Sequence, residues 1–175
     1  MLTYFPEIYP DELLYSVLGR LKCHSGLLSS SRLLDDAFGR RILCARTFLQ
    51  TNLWQLAANI PPSRGLTAQR LALETTPLPY VTAYQTQEVR DWALAAVTED
   101  NGNANAMSGR LGLLASNVRL PSALRYCPTC RAEMLERHGE LYWRRDHQLP
   151  GVLVCPIHCA PLADSRVIKA LTSER

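Results

Sequence analysis

The chain contains no apolar run long enough to cross a bilayer, which takes about 20 residues, and Met1 to Pro10 carries no basic stretch leading into an apolar segment. Neither a membrane-spanning nor a secreted protein is expected. A reducing, cytoplasmic setting follows, in which thiols remain free to bind metal. Catalytic signatures are missing as well: no glycine-rich phosphate loop, no Gly-x-Ser-x-Gly elbow and no His-Glu-x-x-His helix occur. Asp11-Glu12 and Asp35-Asp36 are paired acids, but adjacent helical positions point apart, so caps and solvent are expected to take them rather than two-metal chemistry. A protein that is not an enzyme is expected. There is no internal repeat or low-complexity segment, and lysine is scarce: it stands only at 22 and 169, so 17 of the 19 basic residues are arginine.

What is present concentrates late in the chain. Cys127-Pro128-Thr129-Cys130 and Cys155-Pro156-Ile157-His158 supply four soft or borderline ligands, each pair separated by two residues, the spacing of a structural zinc site. Cys127, Cys130, Cys155 and His158 are the expected ligands. Cys159 is the alternative fourth ligand; His158 is preferred because it repeats the two-residue gap of the first half. His147 is a weaker competitor, expected to hydrogen-bond within the insertion. Cys23 and Cys44 sit among apolar helical residues and read as core thiols. A closed set of four protein ligands leaves no position for activated water, so scaffolding is expected rather than hydrolysis. Charge follows the same division. Residues 1–118 hold ten basic and ten acidic side chains, residues 119–175 nine and six, and arginine suits phosphates, base edges and carboxylates alike.

Periodicity predicts a mainly α protein. With 47% hydrophobic residues the chain can bury a real core. Pro10-Asp11-Glu12 is expected to open a helix with two acids at the positive end of its dipole, followed by apolar Leu13, Leu14, Val17, Leu18 and Leu21. Ser25-Gly26 stops it, and Ser29 to Ser31 cap a second helix that ends at Gly39. A third covers Thr51 to Ile60, giving a set compatible with a helix-turn-helix unit. Thr67 caps a fourth helix, Thr76-Pro77-Leu78-Pro79 breaks it, and a longer one starts near Thr86. Ala106 to Val118 is helical in tendency. Thereafter the texture becomes α+β: a β-prone Leu124 to Tyr126, a helix from Arg131 to His138 closed by Gly139, and strand-like Leu141-Tyr142-Trp143 and Val152-Leu153-Val154. The expected organisation is an N-terminal helical, helix-turn-helix-like part, residues 1–118, followed by a small α+β zinc-binding module, residues 119–175.

The run Tyr9-Pro10-Asp11-Glu12-Leu13-Leu14-Tyr15-Ser16, the stretch Leu33-Leu34-Asp35-Asp36-Ala37-Phe38-Gly39-Arg40, and the two cysteine turns around Tyr142-Trp143-Arg144-Arg145 and His147-Gln148-Leu149-Pro150-Gly151 together resemble the TniQ/TnsD family of transposon target-selection proteins. The resemblance spans nearly the whole chain. It implies an adaptor that binds double-stranded DNA or an RNA-guided targeting complex and recruits the transposon's AAA+ ATPase, a TnsC-like protein. It also matches Cys127, Cys130, Cys155 and His158 to the family's zinc ligands, with Cys159 where such sequences often have glycine. TnsD-like members continue through a further DNA-binding portion, so a chain ending at Arg175 reads as a short member or an N-terminal piece. Arg40, Arg41, Arg144 and Arg145 are the expected contacts to DNA or partner, with Arg144 and Arg145 on opposite faces of a β-like segment. The alternative is a purely protein-binding zinc module without DNA contact.

Overall fold

The computed structural model describes residues 1–39, 47–99, 107, 109–112 and 121–168. Its N-terminal part is built from α1 (Leu14–His24), α2 (Ser30–Phe38), α3 (Leu53–Asn59), α4 (Ala68–Thr75), α5 (Leu78–Thr82) and α6 (Gln87–Thr98). Local chemistry sets most of their ends. Ser29, Thr67 and Thr86 each accept a hydrogen bond from the amide three residues on, opening α2, α4 and α6. Gly39 closes α2 at φ 64°, a conformation that only glycine adopts without strain. The predicted break at Thr76 to Pro79 ends α4 at Thr75 and is also the entry to α5, because proline in a first helical turn lacks only an amide that has no intrahelical partner anyway. Arg40, Arg41, Cys44 and most of the expected helix from Ala106 to Val118 lie outside the described residues.

The helices share one core. Leu14, Val17, Leu18 and Leu21 of α1 meet Leu33, Leu34, Ala37 and Phe38 of α2, with Leu53 and Leu56 of α3, Leu71 of α4 and Val97 of α6 completing it. Cys23 does not join them. It is exposed on the solvent side of α1, a correction to its reading as a core thiol. The acids before α1 are also placed differently from expectation: α1 begins only at Leu14, and no acid lies in its first turn. Asp11 takes a left-handed φ of 57° and Glu12 is fully buried, so both carboxylates turn away from the helix dipole and toward arginines.

The C-terminal part has its own small cluster of Cys127, Cys130, Met134 and Cys155, with Tyr142 and Leu162 against it. It comprises β1 (Ala123–Tyr126), α7 (Pro128–His138) and β2 (Ala163–Ile168), an unexpected strand that pairs antiparallel with β1. The segments predicted as strand-like around Trp143 and Val154 form isolated bridges only, Glu12 with Arg144 and Val154 with Pro161, because each has a single short partner segment. The first of these bridges belongs to a polar seam between the two parts. Leu13 N donates to Trp143 O at 2.8 Å, Trp143 N to Ser16 Oγ at 3.0 Å, and Arg145 N to Asp11 O at 2.8 Å.

Buried charge fills this seam. Arg20 donates to Glu12 at 2.8 Å, to the Glu7 carbonyl at 2.8 Å and to Glu140 at 2.6 Å, while its guanidinium lies 3.9 Å from the centre of the Tyr9 ring. Tyr9 and His24 also reach Glu140, at 2.8 and 2.9 Å. The Arg20 guanidinium, opposed by burial and helped by Tyr9 and His24, holds the Glu140 carboxyl down at about 2.

Two outcomes follow from this packing. Leu18→Ala should destabilise by about 2–5 kcal/mol in urea unfolding, as a buried leucine truncation does, whereas Leu28→Ala, at a side chain 97% exposed, should stay within about 0.5 kcal/mol. Equal effects would contradict the assigned helical core. A carboxyl depressed on folding adds stability that is fully present above its ordinary value, here 4.5, and that is lost as pH falls through the folded value. The stability gap between the wild type and Glu140→Gln should therefore be widest near neutrality and close between about pH 4.5 and 2; a gap independent of pH would remove Glu140 from the seam.

Candidate metal centre

β1 delivers the chain to Cys127, which is the N-cap residue of α7, and Pro128 occupies the first turn. Cys130 therefore lies one helical turn further on, beside Cys127. Burial pushes the Cys127 thiol up, but the amides of Cys130 and Thr129, together with His158, outweigh it and hold the thiol at about 7. The second half is a tight knuckle. Cys155 N donates to Ala160 O at 2.7 Å, Cys159 N to Cys155 O at 2.9 Å and Leu162 N to Leu153 O at 3.0 Å, so the chain folds back between Leu153 and Leu162 and turns His158 inward.

The sequence-predicted ligands come together. The sulfurs of Cys127, Cys130 and Cys155 and one nitrogen of His158 all lie within 4.8 Å of one another. His158 Nδ1 is 3.7 Å from Cys127 Sγ, 3.3 Å from Cys130 Sγ and 3.7 Å from Cys155 Sγ, and the Cys130 and Cys155 sulfurs are 3.6 Å apart. A tetrahedral ion with bonds of about 2.3 Å to sulfur and about 2.0 Å to nitrogen requires edges of roughly 3.5–3.8 Å. The donor set fits. Burial and the neighbouring Cys155 push the Cys130 thiol up to about 12. A divalent ion held by the four ligands would favour their thiolate forms.

One participant escaped the sequence reading. Glu133, on the outward side of α7, places Oε1 3.1 Å from His158 Nε2, which fixes the ring so that Nδ1 faces the sulfurs. Helical spacing offered a hint, since residue 133 lies one turn after Cys130, but its partner is fixed only by the knuckle. Cys159 is exposed and outside the cluster. Its backbone has φ 51°, in the region that favours glycine, which gives a physical reason for a glycine after the last ligand. His147 is also outside the cluster. It is 1% exposed, and burial holds its imidazole down at about 4.

Arg144 and Arg145 do not diverge to opposite faces; both turn toward Asp11. Arg144 grips Asp146 through two bonds of 3.1 and 2.7 Å and lies 3.4 Å from Asp11. Arg145 donates to Asp11 at 3.0 Å and to the carbonyls of Leu73 and Thr76 at 2.6 and 3.1 Å. Asp11 also accepts the Asp146 amide at 3.0 Å. The reason is the Glu12 to Arg144 bridge, which brings this segment beside the turn before α1 and offers the arginines nearer acceptors than solvent.

A helical part with its own apolar core is joined to a cluster of three cysteines and one histidine that could hold a metal ion. The chain belongs to the TniQ family: the TniQ family model matches residues 3–162. It is 33% identical over 165 residues to the transposon Tn7 transposition protein TnsD of Escherichia coli, an alignment covering 94% of this chain. The chain corresponds to only 32% of the length of that relative. Among the described residues no helix is long and apolar enough to cross a membrane.

Elemental analysis of the purified chain should find one divalent ion per molecule, absent from Cys155→Ser. Glu133→Gln should keep the ion but bind it about 10 to 100 times more weakly in a chelator competition, and Cys159→Gly should leave affinity unchanged. Metal-free, fully folded wild-type protein would contradict the assignment.

Proposed function

We propose that this chain is a target-selection adaptor in transposition, without chemistry of its own, that binds DNA or a DNA-bound targeting complex and recruits a TnsC-like AAA+ ATPase. Membership of the TniQ family over residues 3–162 carries the reading, and the similarity to a Tn7 target protein supports it. The site chemistry agrees in kind: a closed donor set of Cys127, Cys130, Cys155 and His158 stabilises a module and leaves no position for a reacting molecule. Zinc is the ion assigned to it, because three thiolates and an imidazole in tetrahedral array match its ligand preferences. Zinc there supplies charge and crosslinking only. The chain's own residues do the rest, with Glu133 orienting His158 and the arginine-rich seam fixing the module against α1.

The roles of the four arginines divide. Arg144 and Arg145 hold Asp11, Asp146 and the carbonyls after α4, so their contribution to recruitment is to set the shape of the seam. Arg40 and Arg41 remain the candidates for direct contact. A protein interface without DNA contact is the second reading, favoured by the internal engagement of Arg144 and Arg145.

Recruitment tests the proposal. The tagged, zinc-loaded chain should retain the transposon ATPase in a pull-down, more strongly when duplex DNA is added. Affinity for DNA should fall steeply with salt, because phosphate contacts release counterions. Absence of ATPase retention with and without DNA would overturn the adaptor reading; retention with no DNA dependence and no salt slope would leave the protein-only reading.

A further inference from the structure

Between the metal module and the Tyr-Trp-Arg segment lies a cleft of about 710 Å³, floored by Met134, Leu141 and Trp143 and flanked by α7 and β2. Its volume falls within the range of about 300–1,000 Å³ typical of sites that take a small ligand or the anchor of a peptide. Four arginines line it against one acid, Asp164. Arg144 is neutralised by Asp11 and Asp146. Arg125 is buried and donates to the carbonyls of Val152 and Leu149 at 2.6 and 2.7 Å, with Asp164 opposite it in the strand ladder. Arg131 and Arg166, one on α7 and one on β2, are exposed. Neither side chain has a hydrogen bond or ion pair among the described residues.

Even with Asp164 assigned to Arg125, the cleft keeps two uncompensated cations above an apolar floor. A duplex would meet this cleft poorly, since its phosphates lie on a convex rod whereas the floor asks for an apolar side chain. A carboxylate matches the planar fork of arginine, and an adjacent apolar residue matches the floor.

We propose that this cleft is a docking site for an acidic peptide segment of a protein partner, with a carboxylate held between Arg131 and Arg166 and a neighbouring apolar side chain seated on Met134, Leu141 and Trp143. The proposal rests on the adaptor reading for the identity of the partner, which is the recruited ATPase, but the binding chemistry stands without it.

The test has two arms. Random dodecapeptides displayed on phage are selected on the zinc-loaded chain, and enriched sequences are measured as capped synthetic peptides by fluorescence anisotropy against the wild type and the double variant Arg131→Glu/Arg166→Glu. Enriched peptides should pair Asp or Glu with a large apolar residue, and the double variant should bind them about tenfold more weakly or worse with unchanged zinc content. Arg131→Gln/Arg166→Gln should give an intermediate loss. In the second arm the same variants are tested for retention of the ATPase and of duplex DNA; ATPase retention should fall while DNA binding holds. Failure to enrich, enrichment without acidic residues, or equal peptide binding by the double variant would overturn the proposal. A loss confined to DNA binding would overturn it in favour of a nucleic-acid site. No ATPase retention by the wild type, with peptide binding lost in the variant, would instead count against the adaptor reading and leave the cleft as an acidic-peptide site for another partner.

Discussion

The structure depends on the charge seam between the turn at residues 9–13 and the segment at residues 140–146. Asp11 and Glu12 are held there by Arg20, Arg144 and Arg145, and Glu140 closes the array from the other side. Glu12 is the fully buried carboxylate of the three, and it persists there because its oxygens find donors, since an unpaired buried charge is costly. Here Glu12 takes bonds from the Tyr9 amide, Ser16 and Arg20. A buried ion pair adds little net stability compared with an apolar pair, but it discriminates strongly against wrong registers. The seam therefore fixes where the metal module sits on α1 more than it strengthens the fold.

That placement explains the division of labour along the chain. The helical part has an apolar core of its own, while the module at its end has only a small cluster built around three cysteines. Such a cluster buries little apolar area for a loop-rich segment, and a metal ion bound by Cys127, Cys130, Cys155 and His158 would supply what apolar area does not. Bound there, it would tie α7 to the knuckle that follows Cys155. The cleft between α7, β2 and Trp143 is lined by Cys127 and Cys130 of the cluster and by Arg144 of the seam, so the proposed docking surface borders both.

Much of this was legible in residue order. The ligand spacing announced the donor set, the caps at Ser29 and Thr67 announced two helix starts, and the apolar faces of α1 and α2 announced the core. Local rules failed where distant residues intervene. Asp11-Glu12 before an apolar helix looks like dipole chemistry, yet their partners are as far as 135 positions away in the chain. Arg144 and Arg145 look like neighbours on opposite faces of a strand, yet the segment is a single bridge wrapped on the seam and both turn toward Asp11. The strand β2 went unread because its sequence, Ala163-Asp164-Ser165-Arg166-Val167-Ile168, alternates weakly and is recruited by pairing with β1.

Native-state hydrogen exchange tests most directly the claim that the seam makes the helical part and the metal module one cooperative body. The amides of Leu13, Trp143 and Arg145 donate across the seam, so they should open with a common free energy. Arg20→Met should lower the protection of all three by the same factor. Contradiction would come if Trp143 and Arg145 lost protection in that variant while Leu13 kept its own, because the two parts would then open independently.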